Sequence, residues 1–339
     1  MKNLRQYRWP LQRRQRGLTM VELLVAMLIS TFIAIAAIAA LLISRQGFTA
    51  VDAASQLRDN ARFATEILQR LGVQTGFQDV MYAATTRQKI KGIEQNPEPN
   101  IYGFNNSSAS ISGTSVTPTT RTTGSLGYGS DILVLRYQAN ETFPGSGISD
   151  YAMINCMGNN KENNTATTTD DISINRDDRM FSALYVAIGS DGEPALMCKN
   201  SFGTAQPLVQ GVENFQVLFG VDGVTANASP TAATDAVADL YLRADQMEVA
   251  GNNIGTNNNW RRVRSIRIGM VLRGAPGSSQ DRAAQTFYPF GTAINSTSGS
   301  IGSAMSSSTD PGTVFSPTPD GRLRQVVTFT IFLRNEQGN

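Results

Sequence analysis

An uncharged apolar run near the N-terminus, residues 23–43, limits the folds open to this chain. The run holds 21 residues, and as a helix it would be about 31 Å long at 1.5 Å per residue. That length matches the hydrocarbon core of a bilayer, which is roughly 30 Å thick. A secretory signal peptide has a shorter apolar core followed by a small-residue cleavage site. The run therefore predicts a membrane-spanning helix.

The charges beside this run predict its orientation. Every charged residue before residue 17 is basic, and these are Lys2, Arg5, Arg8, Arg13, Arg14 and Arg16. Because an excess of Lys and Arg stays in the cytoplasm, residues 46–339 should lie outside it. An ordinary signal anchor would explain this pattern but would not explain Glu22, a lone carboxylate at the cytoplasmic end of the run. Carboxylates in spanning helices are costly and rare, so Glu22 is a candidate functional residue.

Residues 17–22 read Gly-Leu-Thr-Met-Val-Glu and join the basic leader to the apolar run. This arrangement resembles the class III leader of type IV prepilins and type II secretion pseudopilins. The resemblance implies that a prepilin peptidase cuts between Gly17 and Leu18, that Leu18 is then N-methylated, and that Glu22 directs assembly. The first mature residue of the family is more usually Phe, so Leu18 departs from the pattern.

Three further stretches, residues 59–66, 206–222 and 320–324, are similar to the PilW family of minor pilins. The resemblance implies a low-abundance structural subunit that helps prime type IV pilus assembly, forms the tip complex and serves adhesion and twitching motility. The implied partners are the prepilin peptidase, other minor pilins, the major pilin, an inner-membrane platform protein and a tip adhesin. The implied location is the inner membrane of a Gram-negative bacterium, in a single pass, and then the pilus or cell surface.

We expect an α+β fold in which a long N-terminal helix packs on an antiparallel, β-rich domain with long polar loops. The predicted segments are a removed leader over residues 1–17, a transmembrane and assembly helix over 18–44, an amphipathic continuation over 45–72, and an exported β-rich domain over 73–339.

The helical period continues beyond Arg45 as an apolar seam with alternating spacings of four and three residues. Its members are Ala50, Ala54, Leu57, Ala61, Ala64, Leu68 and Leu71. Phe63 and Ile67 widen this face, as packing on a sheet requires. We therefore expect the helix to lie against the chain's own sheet rather than to form a free coiled coil. Gly72 follows the seam and predicts the end of the helix.

Alternation and short aliphatic runs predict strands in the rest of the chain. The predicted strands are 131–137, 151–157, 181–188, 194–199, 215–221, 260–274 and 325–333. The Asp191-Gly192 turn predicts a hairpin of the third and fourth of these, and the last two are expected to pair antiparallel. Residues 105–125 and 275–319 are rich in Ser, Thr and Gly and are expected to be loops.

The chain contains two cysteines, Cys156 and Cys198. In an exported domain a disulfide is expected rather than two free thiols. The PilW family usually has a cysteine after the helix, near residues 76–77, and this chain lacks it. That departure leaves Cys156 and Cys198 to pair with each other, bridging two predicted strands.

Composition argues against several classes of function. The chain has no histidine, which removes the imidazole base and the commonest zinc ligand. Removal of the leader takes away six of the 29 basic residues and none of the 27 acidic residues, which leaves a net charge of −4. This charge gives no support for nucleic-acid binding. With no nucleophile elbow, phosphate loop or paired-carboxylate motif, we expect no enzyme activity, no cofactor and no metal.

Some alternatives stay open at the level of sequence. Asp222, Asp235 and Asp239 offer oxygen ligands for calcium, but their spacing does not fit an EF-hand loop, and solvated loop acids are expected instead. The arginines between residues 261 and 267 form either an anion-binding patch or, as we expect, strand-end residues and ion pairs. For the whole chain, the alternatives are a type II secretion pseudopilin of the J type and a membrane-anchored envelope binding protein.

Overall fold

The computed structural model describes residues 17, 19–77, 96, 98–139, 142–143, 150–158, 179–201, 203–231, 233–291, 310–335 and 337. The chain separates into two units, Met1–Val51 and Asp52–Asn339. Helix α1, Met20–Gln74, contributes residues to both units. The strands all belong to the second unit.

Helix α1 has two kinds of surface along its length. Between Met20 and Ile43 its apolar side chains are exposed. In the second unit one face is buried, and it consists of Ala53, Leu57, Ala61, Ala64, Leu68, Leu71 and Gly72. The predicted seam therefore packs on the β-rich unit from Leu57 onward, whereas Ala50 and Ala54 are only partly buried. The side chain of Phe63 is half exposed and widens the face less than expected.

The helix ends later than the sequence predicted. Gly72 stays helical, and α1 continues to Gln74. Gly76, with a φ of 78°, takes the left-handed conformation that commonly follows a helix and that glycine adopts without strain. Gly72 has a different role, because an added Cβ would lie 2.8 Å from Cγ2 of Ile331. Its lack of a side chain lets the helix approach the sheet.

Hydrogen bonds hold the end of α1 on two sides. They run from the Gly76 N–H to the Arg136 carbonyl (2.9 Å), from the Gln138 N–H to the Phe77 carbonyl (2.9 Å), and from Asn335 Nδ2 to the Thr75 carbonyl (3.1 Å). The first two bonds reach a neighbouring strand, and the third comes from near the C-terminus of the chain.

The described strands are, in chain order, β1 Ile101–Phe104, β2 Ser107–Ser112, β3 Ser115–Thr120, β4 Ile132–Tyr137, β5 Met180–Ile188, β6 Pro194–Lys199, β7 Gln206–Gln210, β8 Val212–Val221, β9 Leu240–Leu242, β10 Val263–Arg273 and β11 Arg324–Phe332. Two short helices, α2 Ala244–Met247 and α3 Asn253–Arg261, lie between β9 and β10. One sheet has the order β1-β4-β5-β6-β7, a second has the order β11-β10-β8-β9, and β2 pairs with β3. All these pairings are antiparallel. The expected α+β fold is confirmed, as are the β5–β6 hairpin and the β10–β11 pair.

One buried cluster joins α1 to both sheets. It includes Leu68 of α1, Leu184 and Leu196 of the five-stranded sheet, and Phe215 and Ile268 of the four-stranded sheet. Fully burying an aliphatic or aromatic side chain of this size contributes about 1.5–3 kcal/mol. This cluster is therefore the main source of stability in the second unit.

The outward faces of the sheets are covered as well. The β2–β3 hairpin lies on the five-stranded sheet, where Ile111 and Val116 pack against a cluster that includes Phe181. On the four-stranded sheet, Gly269 of β10 is so close to the loop after β10 that an added Cβ would lie 2.5 Å from the carbonyl oxygen of Pro289. Both coverings come from segments that were predicted to be loops.

Three predictions about strands and loops are wrong. Residues 105–125 contain the β2–β3 hairpin, because its alternating pattern is hidden by Ser and Thr on both faces. Residues 151–157 form no strand. Trp260 lies on α3, where its buried ring meets Phe219 edge to face with centroids 4.8 Å apart, and strand β10 begins only at Val263.

Candidate assembly segment and polar sites

Glu22 is exposed in the first turn of α1. The backbone N–H of Glu22 donates to the carbonyl of Thr19 (3.1 Å) and to its Oγ1 (3.3 Å), so Thr19 caps the start of the helix. The positive end of the helix dipole favours a carboxylate at this position. The carboxylate therefore projects from a helix surface that is otherwise uncharged as far as Ser44.

The hydroxyl groups in this segment are satisfied by the helix itself. Ser30 Oγ donates to the carbonyl of Ala26 (2.7 Å), and Thr31 Oγ1 donates to that of Leu28 (2.8 Å). An ionised carboxylate is only an acceptor, so Glu22 cannot satisfy itself on helix carbonyls in this way. By length and composition, α1 is able to cross a membrane. Glu22 is thus the polar group of the apolar segment that needs a partner from elsewhere.

Gly17 is exposed, and an added Cβ there would meet no atom within 4 Å. Leu18 and the leader, residues 1–16, lie outside the described residues. The cut between Gly17 and Leu18 and the methylation of Leu18 therefore stay predictions.

Cys156 and Cys198 form the predicted disulfide, with Cα atoms 5.9 Å apart. Both cysteines are buried. Cys198 lies on β6, but Cys156 lies on an irregular segment. The backbone N–H of Cys156 donates to Oγ of Ser182 (3.1 Å). The bond therefore ties an irregular segment to the five-stranded sheet and does not bridge two strands as predicted.

Asp131 joins the two sheets. Its backbone N–H donates to the carbonyl of Phe215 on β8 (2.8 Å), and its carboxylate accepts the backbone N–H groups of Val217 (2.8 Å) and Asn106 (2.9 Å). These bonds are possible because β9 pairs only with residues 219–221 of β8 and leaves the rest of that edge of β8 free, while the other edge pairs with β10. Complete burial raises the pKa of Asp131 well above its usual range, although the two N–H donors act in the opposite direction.

A second buried carboxylate, Asp310, lies in the segment that precedes β11. Its residue is 5% exposed, and burial raises its pKa to about 6 in spite of the nearby charge of Arg243, whose Nε is 4.0 Å from Oδ1. The segment fits closely because Gly312 and Gly129 touch through their backbones, so that an added Cβ on Gly129 would lie 2.4 Å from Cα of Gly312. The charge of Asp310 also raises the pKa of Asp131.

An ion-pair network connects the ends of several strands. Its acids are Glu193, Glu213 and Asp320, and its bases are Arg273, Arg322 and Arg324. Arg324 lies at the centre of one half, 2.6 Å from Glu213 and 2.8 Å from Asp320. Equal numbers of acids and bases leave the network with no net charge to attract a ligand, so its role is structural.

The candidate calcium ligands serve the loop after β8 instead. Asp222 is buried, accepts the backbone N–H groups of Ala236 (2.9 Å) and Asp235 (3.3 Å), and pairs with Arg264 (3.3 Å). Asp239 likewise accepts a backbone N–H. Among the described residues, no group of three or more His, Cys, Asp or Glu side chains is placed to hold a metal ion.

Asp131, Asp310 and the ion-pair network were not predicted from the sequence. The position of Asp131 directly before a fully buried strand is a usable signal, because a carboxylate there must find donors inside the fold. Asp310 follows a run of Ser and Thr that predicts a solvated loop, so nothing in its own surroundings predicts burial.

Two models of known protein families match separate parts of this chain. Residues 183–335 match the family model described as type IV pilus-assembly protein W, and residues 12–41 match the prokaryotic N-terminal methylation motif. The first match covers β5 to β11, and the second contains Gly17 and Glu22. No curated protein matches.

Among solved structures, the chain is similar to a type IV-like pilin from Thermus thermophilus. The sequence identity is 11% and the TM-score is 0.37, over 83% of this chain and 97% of that chain. The family of the matched models is structural rather than enzymatic. Residues 183–335 are thus similar to the PilW family, and the start of the apolar helix carries a prepilin-type methylation motif.

Proposed function

We propose that this protein is a minor pilin, a low-abundance subunit that helps prime assembly of the type IV pilus and forms part of its tip complex. The observation that supports this function is Glu22, a single carboxylate on the exposed apolar surface of α1. A surface of this kind needs a membrane or neighbouring helices to cover it, and its one charge needs a cation.

Cleavage before Leu18 would create such a cation, the new α-amino group. On a regular helix this amine is about 6 Å along the axis from the fourth residue after it, so its own Glu22 is out of comfortable reach. The amine of one subunit and Glu22 of a neighbour can meet when the apolar helices stack. Because a buried carboxylate is strongly unfavourable without a cation, this pair selects the axial register. The aliphatic residues between Leu23 and Ile43 supply the packing.

The proposal includes the partners and location that such a subunit requires. The prepilin peptidase processes the chain, the inner-membrane platform protein receives it, and the major pilin and other minor pilins surround it in the filament. A tip adhesin is a further proposed neighbour. Before assembly the protein crosses the inner membrane of a Gram-negative cell once, with its N-terminus in the cytoplasm, and afterwards it lies on the pilus.

The test compares Glu22→Ala and Glu22→Gln with the matched variant Glu66→Ala, an exposed acid in the second half of α1. Both Glu22 variants should be cleaved, inserted and folded, yet should be depleted in sheared pili relative to the membrane fraction. Glu66→Ala should enter pili as the wild type does. Wild-type amounts of Glu22→Ala in sheared pili would contradict the proposal.

A deletion strain separates this function from a role in type II secretion. Loss of surface pili with normal secretion of type II substrates supports the pilus function. Normal pili with failed secretion would instead assign the chain to the secretion system.

A further inference from the structure

The two large sheets have four edges, and three of them are short or interrupted. Strand β9 has three residues, β1 has four, and β7 contains Pro207. Short length and proline are among the devices by which proteins keep strand edges from pairing with other chains. Strand β11 forms the fourth edge and is nine residues long.

Strand β11 lacks these protective devices. Between Gln325 and Leu333 the sequence QVVTFTIFL contains no charge, no proline and no glycine. Thr328 is exposed, and the side chain of Phe332 is 73% exposed. The other residues of β11 are partly buried or, for Ile331, buried. An uncharged edge strand rich in β-branched and aromatic residues is the kind that accepts another strand.

The register shows which backbone groups face outward. Leu333 donates its N–H to the carbonyl of Arg264 on β10 (2.9 Å). In an antiparallel pair such bonds recur at every second residue, so the odd-numbered residues of β11 bond to β10. The even-numbered residues, including Val326, Thr328 and Thr330, direct their N–H and C=O groups away from the sheet. In the part of the chain that the structure describes, β11 pairs only with β10.

A cation lies beside this edge. Arg267 of β10 is directly opposite Thr330 of β11 and shares a face of the sheet with it. Its Nε atom is buried and, within the described ranges, has no hydrogen-bond partner. The neighbouring arginines of β10 differ, because Arg264 pairs with Asp222 and Arg273 pairs with acids of the ion-pair network.

An added strand would lie two strand spacings from β10, about 10 Å. Arginine and glutamate side chains together span this distance over the small side chain of Thr330. Arg267, whose Nε has no partner among the described residues, therefore favours an acidic residue at that position of an added strand. A second copy of β11 offers none, since residues 325–333 contain no acid and Arg324 precedes them.

We propose that β11 is a docking edge for a strand of another protein, which pairs with its outward backbone groups and carries an acidic residue opposite Thr330. The backbone supplies affinity that depends little on sequence, while Arg267 and the exposed ring of Phe332 supply the preference for one partner.

The probe is a seven-residue extended peptide of alternating Val and Thr with Glu at its centre, compared with the same peptide carrying Lys. Binding to the full chain in detergent micelles is measured by fluorescence anisotropy. The Glu peptide should bind about two- to fivefold more tightly than the Lys peptide, in line with opposite-charge pairs across strands. Arg267→Glu should reverse this preference, whereas Arg58→Glu, an exposed site on α1, should leave it unchanged.

Thr330→Pro removes an outward N–H and should weaken the binding of both peptides about tenfold. The variant should still fold, because proline is tolerated on strand edges where the N–H faces solvent. Circular dichroism checks that the variants fold. If a variant fails to fold, hydrogen exchange of the wild-type amides is measured instead. The amides of Thr328 and Thr330 should exchange freely in the chain without peptide and should be protected when the Glu peptide is bound.

Three results would overturn the proposal. One is that neither peptide binds, or that both bind equally whatever the charge at residue 267. Another is that the amides of Thr328 and Thr330 are already protected in the free chain, which would mean that the chain covers its own edge. The last is self-association that disappears in Thr330→Pro, which would identify a second copy as the occupant.

Discussion

The backbone of Gly72 on α1 lies directly against the side chain of Ile331 on β11. An added Cβ at Gly72 would lie 2.8 Å from Cγ2 and 3.1 Å from Cδ1 of Ile331. Ile331 is buried and β-branched, so its Cγ2 cannot swing aside. The contact fixes how closely the second half of α1 approaches the four-stranded sheet.

Gly72→Ala should therefore destabilise the protein by about 1–3 kcal/mol, the usual effect of overpacking a core. The matched control is Gly47→Ala, at a helical site where an added Cβ meets nothing within 4 Å. The control should be neutral or stabilising by up to about 1 kcal/mol, because alanine is the better helix former. Thermal unfolding of the full chain in detergent measures both. A stable Gly72→Ala variant would show that the helix can shift away from the sheet.

Asp310→Asn should reduce the pH dependence of stability between about pH 4 and pH 6. The folded pKa of about 6 lies above the ordinary value of 3.8, so the folded state binds more protons than the unfolded state in this window. The free energy of unfolding of the wild type therefore contains a term that is fully present below about pH 4 and is lost as the pH rises to about 6. That term is on the order of 2–3 kcal/mol.

Urea unfolding at several pH values measures this effect as the difference between Asp310→Asn and the wild type. The subtraction is needed because Asp131 also has a raised pKa, while that of Glu193 is lowered by hydrogen bonds from its arginine partners. Asp59→Asn, on the exposed side of α1, is the control and should keep the wild-type slope. Equal slopes for Asp310→Asn and the wild type would mean that Asp310 is solvated.

Reduction of the Cys156–Cys198 disulfide should destabilise the second unit. The bond closes a loop with a sequence separation of 42 residues, for which chain entropy gives about 4 kcal/mol. The double variant Cys156→Ala/Cys198→Ala should melt at a lower temperature than the wild type and should no longer respond to reductant. Non-reducing peptide mapping identifies the bond directly, and free thiols in periplasmic protein would refute it.

Processing should remove 17 residues, because the predicted cut follows Gly17. Intact-mass analysis of protein from a cell with an active prepilin peptidase checks this loss. Gly17→Val should stay uncut, and its effect would come from the peptidase site, since a Cβ at Gly17 meets nothing in the chain itself. Assembled filaments that retain Met1 would contradict the prediction.

The parts of the fold that were predicted correctly are those in which the spacing of apolar residues along the sequence identifies residues of the core. Strands β8, β10 and β11 carry alternating apolar residues, and the seam of α1 repeats by three and four, so each element shows one core-facing set of residues in its own sequence. The alternation did not show that the polar residues of β8 are buried as well. Glu22 stands out in the sequence because its surroundings carry no charge, and its role in assembly stays a prediction.

Outside the β2–β3 hairpin, two positions were missed for a different reason, because their partners are far away in the sequence. The Asn-rich stretch before Trp260 drew no structural prediction, yet Asn259 is buried and its Nδ2 donates to the carbonyls of Ala228 (2.9 Å) and Met247 (3.0 Å). Gly72 resembled a helix end because its contact with Ile331 lies more than 250 residues further along the chain. No local pattern encodes such contacts.

The bonds around residues 73–77 give the protein a mechanical property. A pull along α1 enters the β-rich unit through the buried face of the helix. At the end of the helix it also meets bonds from Gly76 and Phe77 to the chain around β4 and a bond from Asn335 near the C-terminus. Tension is therefore shared between an early strand and the last segment of the chain. A filament that carries load through its helices would transmit it into both sheets at once, rather than peel one strand from an edge.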